Sequence, residues 1–336
     1  MVNSAADITP EDRIDRLFEE AGGCGLFQVF AYVAIAIGMS APSWFIYEFG
    51  YLTQAPDAYV CTYAAGVTPD PSICTKENIC DDDPRIAGWE ADPDSPDTLD
   101  NWQQKLDLTC VDSWKISMIG ASLFIGMAVT LLWLPSIADR RGRKQVFWLG
   151  MACQQLLYTG LMLTHSLAVM IVLVFLFGML SSVRLNVGYI YLMEVLPKKA
   201  QTNVTSCWSV QEAAIYVVAT IYFWKISKQW FWYCFIGYVW QLTSLVCLFW
   251  MPESPRYLIK RGRTDEARKA FMQIARTNRR EINWEDFHFK TSKMNILKTP
   301  RGRHIRTLEI VGFPASASQD TIKSWVSQQV GKEVSD

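Results

Sequence analysis

Six apolar runs, each long enough to cross a lipid hydrocarbon layer, alternate with charged stretches, and this pattern leaves the chain few ways to fold. Crossing about 30 Å of hydrocarbon takes roughly 20 helical residues. The runs cover residues 26–47, 116–138, 146–164, 167–193, 204–224 and 230–251. Inside lipid a backbone must satisfy its own hydrogen bonds, and a helix does so within one segment. A soluble core does not supply six runs of this length. The expected fold is an all-α membrane protein, a six-transmembrane-helix bundle.

Hydrophobic residues make up 50% of the sequence and charged residues 19%, so the apolar character is segregated rather than uniform. A net charge of −1 gives no electrostatic footprint for nucleic acid. Residues 1–20 are polar and acidic, without the basic region and cleavage site of a secretory signal. The first run is therefore expected to stay in place as a signal anchor. Basic residues in short loops set orientation. Arg140, Arg141, Arg143 and Lys144, then Lys198 and Lys199, then Arg256, Lys260, Arg261 and Arg263 fall on one side. They outnumber Lys225 and Lys228 on the other, so both termini are expected to be cytoplasmic. The expected domains are a cytoplasmic N-terminus (1–24), the bundle (25–251), a cytoplasmic amphipathic region (252–290) and a tail (291–336). Thr264–Thr277 carries Ala267, Phe271, Ile274 and Ala275 on one helical face. In the tail, 304–313 alternates like a short strand and 320–330 has helical spacing.

Residues 48–114 then form an extracellular or lumenal loop with 14 acidic residues against Lys76, Arg85 and Lys105. Such a surface concentrates cations near an entrance; the plainer expectation is a solvated, poorly ordered loop. Cys61, Cys74, Cys80 and Cys110 suggest two disulfides, with three possible pairings. A zinc site is the competing reading, against irregular spacing and no nearby histidine. The other five cysteines lie in or beside apolar runs and read as small packing residues.

His165, His288 and His304 have no nucleophile–base spacing, and there is no phosphate-binding glycine loop or paired metal-ligand motif. Neither an enzyme nor a cofactor nor a metal is expected. Arg184 and Glu212 stand out as ionisable groups inside apolar runs, where each costs about 3 kcal/mol or more. They are expected either to pair with each other or to contact a charged solute. Tyr189 is a candidate cavity aromatic, because ring faces hold organic cations.

Pro135-Ser-Ile-Ala-Asp139-Arg140-Arg141-Gly142-Arg143-Lys144 resembles the signature loop between the second and third helices of the major facilitator superfamily. Pro252-Glu253-Ser254-Pro255-Arg256-Tyr257-Leu258 resembles the motif that ends the sixth helix in its sugar-porter and organic-ion branches. Phe27-Gln28, Ala55-Pro56-Asp57 before Cys61, and Cys110-Val111-Asp112-Ser113-Trp114 narrow the match. Together they are similar to the organic cation, anion and carnitine transporter family, over residues 25–276. The resemblance implies the N-terminal half of a major facilitator transporter, moving small organic ions by alternating access, cations slightly favoured. It implies substrate contact at Tyr189, with Arg184 and Glu212 on cavity-lining helices. It implies a conformational charge network of Asp139, Arg140, Arg143, Glu194, Glu253 and Arg256.

Two departures are local: Pro135 replaces the usual glycine of the signature loop, and the outer loop lacks glycosylation sequons. The third is the missing second six-helix half, whose partner repeat completes the solute site in this superfamily. The expected partners are the lipid bilayer, a small organic ion, and either a second copy forming a homodimer or a hetero-complex. A shortened gene product would read the same way. The different-class expectation is a non-transporting subunit that keeps the bundle for assembly. The plasma membrane is expected first, an organelle membrane second.

Overall fold

The computed structural model describes residues 10–95 and 98–282, so the tail expectations at 304–313 and 320–330 lie outside the described residues. Pro10 opens helix α1 (Pro10–Glu20), since proline suits a first helical turn. Glu11 and Asp12 follow, where the helix dipole favours negative charge. Ile14, Leu17, Phe18 and Ala21 are buried. This helix was not expected from the sequence. Its 11 residues are short and acidic, and its apolar face finds a partner only in the folded chain.

The chain turns at Gly22 and Gly23, both in the left-handed region, and enters α2 (Leu26–Ser40). Two short helices, Ser43–Ile46 and Phe49–Thr53, continue it, so the first apolar span runs Leu26–Thr53. It passes the expected end at Tyr47, because Glu48 does not leave the bundle for water: its side chain is fully buried. The outer loop is accordingly shorter than 48–114.

That loop is built rather than loose. β1 (Tyr59–Tyr63) pairs antiparallel with β2 (Ile86–Ala91). Disulfides join Cys61 to Cys74 and Cys80 to Cys110, one of the three pairings open to the sequence. Arg85 clasps both oxygens of Asp83, and this pairing holds that carboxyl down at about 2. The loop is fixed to the bundle by Trp102, fully buried against Phe45 (5.6 Å) and Phe49 (6.1 Å). Lys105 Nζ donates to the carbonyls of Leu161 (3.1 Å) and Met162 (2.8 Å).

The remaining long helices are α3 (Ser113–Leu131), α5 (Arg143–Leu163), α6 (Leu167–Glu194), α7 (Lys198–Ile221) and α8 (Trp230–Phe249), with short α4 (Leu134–Arg141) between the first two. The second span is not continuous to Ala138 as expected. It breaks at Leu132–Trp133, because Pro135 has no N–H to give and occupies the first turn of α4. Five of the described helices, counting the extended first span, are long and apolar enough to cross a membrane. The sixth, α7, has the length but carries Gln201, Asn203, Ser206, Ser209, Gln211 and Glu212, and a π-turn at Tyr222–Ile226 ends it. α3 and α6 pack backbone to backbone, and Gly126 and Gly178 make that approach possible.

On the face opposite the loop, Pro252 and Pro255 end the last span. α9 (Pro255–Lys260) and α10 (Thr264–Thr277) follow, the latter at the amphipathic stretch read from the sequence. Phe18 of α1 packs edge-on to Phe271 of α10 at 4.9 Å. Asn278 accepts from the Phe27 N–H (2.8 Å) and donates to the Ala21 carbonyl (2.8 Å) and Gln28 Oε1 (2.9 Å).

Candidate functional site

Arg184 is carried by α6 to the middle of the bundle, where its side chain is fully buried. None of its three guanidinium nitrogens has a hydrogen-bond partner among the described residues. Buried polar groups are ordinarily bonded, so three open donors on one cation mark a place where an acceptor fits. Glu212 on α7 does not supply it, for no ion pair between the two is formed. Glu212 Oε2 instead accepts from the Ser43 hydroxyl and from the Tyr47 hydroxyl at 3.4 Å, both on the first span. Its Oε1 is buried without a well-formed hydrogen bond among the described residues, with the Trp208 indole beside the carboxylate and the Arg184 charge acting on it. The expected mutual pair is thus replaced by a carboxylate tied to the first span and a guanidinium left open.

Tyr189 is half-buried on α6, with its hydroxyl 3.5 Å from Thr205 Oγ1 and its ring 5.9 Å from that of Trp208. Tyr47 meets Tyr216 edge-on at 5.8 Å. Gln211, one residue before Glu212, donates to Ser40 Oγ at 2.5 Å. The polar face of α7 therefore joins hands with the first span along most of a helical turn and beyond. A cavity of about 680 Å3 at the loop face, lined by Tyr51, Gln54, Thr220, Phe223 and Lys225 among others, includes neither Arg184 nor Glu212 nor Tyr189.

The charged residues on the opposite face divide into three groups. Arg143 pairs with Asp139 (2.8 Å) and Glu194 (3.2 Å) and lies over the Tyr257 ring at 4.7 Å. Arg256 pairs with Asp15 of α1 and donates to the Leu196 carbonyl at 3.3 Å. Lys198 reaches the same Asp15 at 3.3 Å. Glu253 forms no ion pair among the described residues: its Oε1 accepts from the N–H groups of Lys144 (2.9 Å) and Ser254 (3.0 Å), capping the start of α5. Arg140 joins through its backbone, accepting from the Tyr257 hydroxyl at 3.2 Å. Its guanidinium makes no ion pair among the described residues. Asp15 and Glu48 are two acids the sequence did not single out. Asp15 lay in a stretch rich in acids, and Glu48 stood at the end of an apolar run.

Comparison with known proteins adds an independent line. The family model described as "Sugar (and other) transporter" matches residues 33–300. The chain is similar to solute carrier family 22 member 16 of Xenopus laevis, 26% identical over 177 residues, which is 52% of this chain and 30% of that protein. It is similar to a putative transporter of Caenorhabditis elegans, 24% identical over 276 residues, 79% of this chain and 47% of the relative. Synaptic vesicle glycoprotein 2B of Rattus norvegicus is 24% identical over 207 residues, 57% of this chain and 30% of the relative. The chain thus spans between about a third and a half of the length of these relatives.

Proposed function

Since this chain belongs to the sugar (and other) transporter family, we propose that it takes part in moving small organic ions, cations favoured, across a membrane by alternating access. It is an integral, multi-pass membrane protein and not an enzyme. One observation carries the reading. A buried guanidinium with every donor open and a buried carboxylate with an open oxygen lie on neighbouring helices of the bundle. Such groups are costly in lipid and are retained where a solute or proton meets them. In this reading the open oxygen of Glu212 receives the cationic group of the solute, with Tyr47 fixing the carboxylate. Tyr189 offers a ring face, and Arg184 takes an anionic group or counter-ion.

The ion pairs of Arg143 with Asp139 and Glu194, together with Arg256–Asp15, suit a latch that breaks and re-forms between two conformations. Both termini face the cytoplasm in this reading, with 1–24, 252–290 and 291–336 as cytoplasmic segments and 25–251 as the bundle. The plasma membrane is the first site and an organelle membrane the second. The solute path is completed by a second six-helix half.

The test is uptake of a labelled organic cation into vesicles carrying the purified protein. Glu212→Gln and Tyr189→Ala should each lower uptake about tenfold or more without loss of folded protein. The mass of the gently solubilised particle identifies the partner. Full uptake by Glu212→Gln overturns the site. No uptake by the wild type, with stable recovery in a hetero-complex, replaces transport with an assembly role.

A further inference from the structure

Glu48 lies where a negative charge has nothing to compensate it. Its side chain has no exposed surface. It belongs to the outer part of the first span, against α8. Oε1 accepts from Cys234 Sγ at 2.7 Å, and Oε2 is buried without a hydrogen-bond partner among the described residues. No basic side chain forms an ion pair with it among the described residues.

The titratable groups around it are few. Tyr233 and Cys234 face it from α8 and Tyr158 from α5, with Tyr51 of its own segment acting on Tyr233. Tyr158 directs its hydroxyl to the Cys234 carbonyl at 3.0 Å, and Tyr233 directs its own to the Ile215 carbonyl at 3.4 Å, so neither donates to Glu48. Two cations reach this neighbourhood without pairing with Glu48: Lys105, held by the Leu161 and Met162 carbonyls and acting on Cys234, and Arg184, acting on Tyr158. A carboxylate sealed in such surroundings, with one weak thiol donor and one bare oxygen, is far costlier than a neutral carboxylic acid.

We propose that Glu48 is a proton-binding site: a carboxylic acid that holds one proton inside the bundle at neutral pH, positioned by the Cys234 thiol. Oε1 is its carbonyl oxygen, accepting S–H, and Oε2 carries the proton. The ring of Trp44 lies 5.1 Å from that of Tyr233, Phe45 packs on Tyr158, and the acid itself has no exposed surface. Water reaches it only when the outer part of the first span parts from α8. On parting, the O–H bond breaks, the proton passes to water and the carboxylate stays on the chain, solvated. Proton occupancy and separation of these two segments are therefore linked, each opposing the other. This assignment stands on burial and bonding alone and holds whether or not the protein transports a solute.

Infrared difference spectroscopy on the purified full chain in lipid, at neutral pH, tests it. Wild type minus Glu48→Gln should contain the C=O stretch of one carboxylic acid, slow to shift in heavy water, and no carboxylate bands. Loss of the carboxylate stretches, with no acid band, overturns the proposal. If Glu48→Gln does not fold, Cys234→Ala carries the test. The acid band should be present in both proteins and move to higher frequency in the variant, which has lost the S–H donor. No acid band, or one that does not move, overturns it.

Discussion

Replacing Gly178 with alanine should force α3 and α6 apart. A methyl group at position 178 would lie 2.1 Å from the Leu123 carbonyl oxygen, 2.9 Å from its carbon and 3.0 Å from its Cα. Close carbon–oxygen contacts between helices settle at about 3.3–3.6 Å, so the two backbones must part by roughly 1.2 Å along that line. No rotamer change relieves this, because the obstacle is main chain. The reciprocal contact loosens as well: a methyl at Gly126 would meet the Phe175 carbonyl oxygen at 2.2 Å, so the two helices touch there too. Overpacking costs about 1–3 kcal/mol, and a backbone obstacle places this case at the upper end. The better helix propensity of alanine returns roughly 1 kcal/mol. The net loss is about 2 kcal/mol, on the order of a 30-fold change in the unfolding equilibrium. Unfolding of the purified protein in mild detergent measures it. Gly50→Ala serves as the control: a methyl there meets nothing within 4 Å, and the variant should be neutral or slightly stabilised. A Gly178→Ala protein as stable as wild type, or equal shifts in both variants, would refute the backbone-contact argument.

Lys105 should give the outer loop a pH dependence. Burial, the larger cause, draws its ammonium down from 10.5 to about 8. Between about 8 and 10.5 the unfolded chain therefore binds more protons than the folded one, so stability rises with pH across that window and is lower below it. Hydrogen exchange of the loop amides should follow this slope, and Lys105→Met should abolish it; a slope that survives the substitution assigns it elsewhere. Gly142→Ala should destabilise more than Gly66→Ala. Both glycines have positive φ, but only at Gly142 would a methyl also meet Glu253, at 2.5 Å, and dislodge it from the N–H of Lys144. Strain alone is roughly 1 kcal/mol, and loss of the cap adds about 1 more, readable by thermal unfolding. Equal effects would remove Glu253 from the cap.

The spans were legible because lipid imposes a length and an apolar composition that few sequences meet by chance. Arg184 was legible for the same reason, as a charge inside such a run. Glu48 was not: a charge at the border of an apolar run reads as the start of a loop, and its partner Cys234 lies 186 residues away. The pairing of Arg184 with Glu212 was plausible from matching depth in antiparallel neighbours. Matching depth leaves rotation about the helix axis open, and rotation turned Glu212 toward Ser43 and Tyr47. The interruption at Leu132–Trp133 follows from Pro135, whose unusual presence was visible although its consequence for the helix was not. α1 escaped notice because an 11-residue amphipathic stretch has too little apolar surface to stand out until Phe271 covers it.

A single amide, that of Asn278, ties the close of α1, the opening of the first span and the chain just beyond α10. Methyl groups at Gly22 or Gly25 would collide with the Asn278 side chain, at 2.9 Å from Cβ and 2.4 Å from Oδ1. The joint therefore has little play. Any tilt of the first span must be passed to the two amphipathic helices that flank the bundle in sequence, so the three elements move as one lever rather than as a rod with loose attachments.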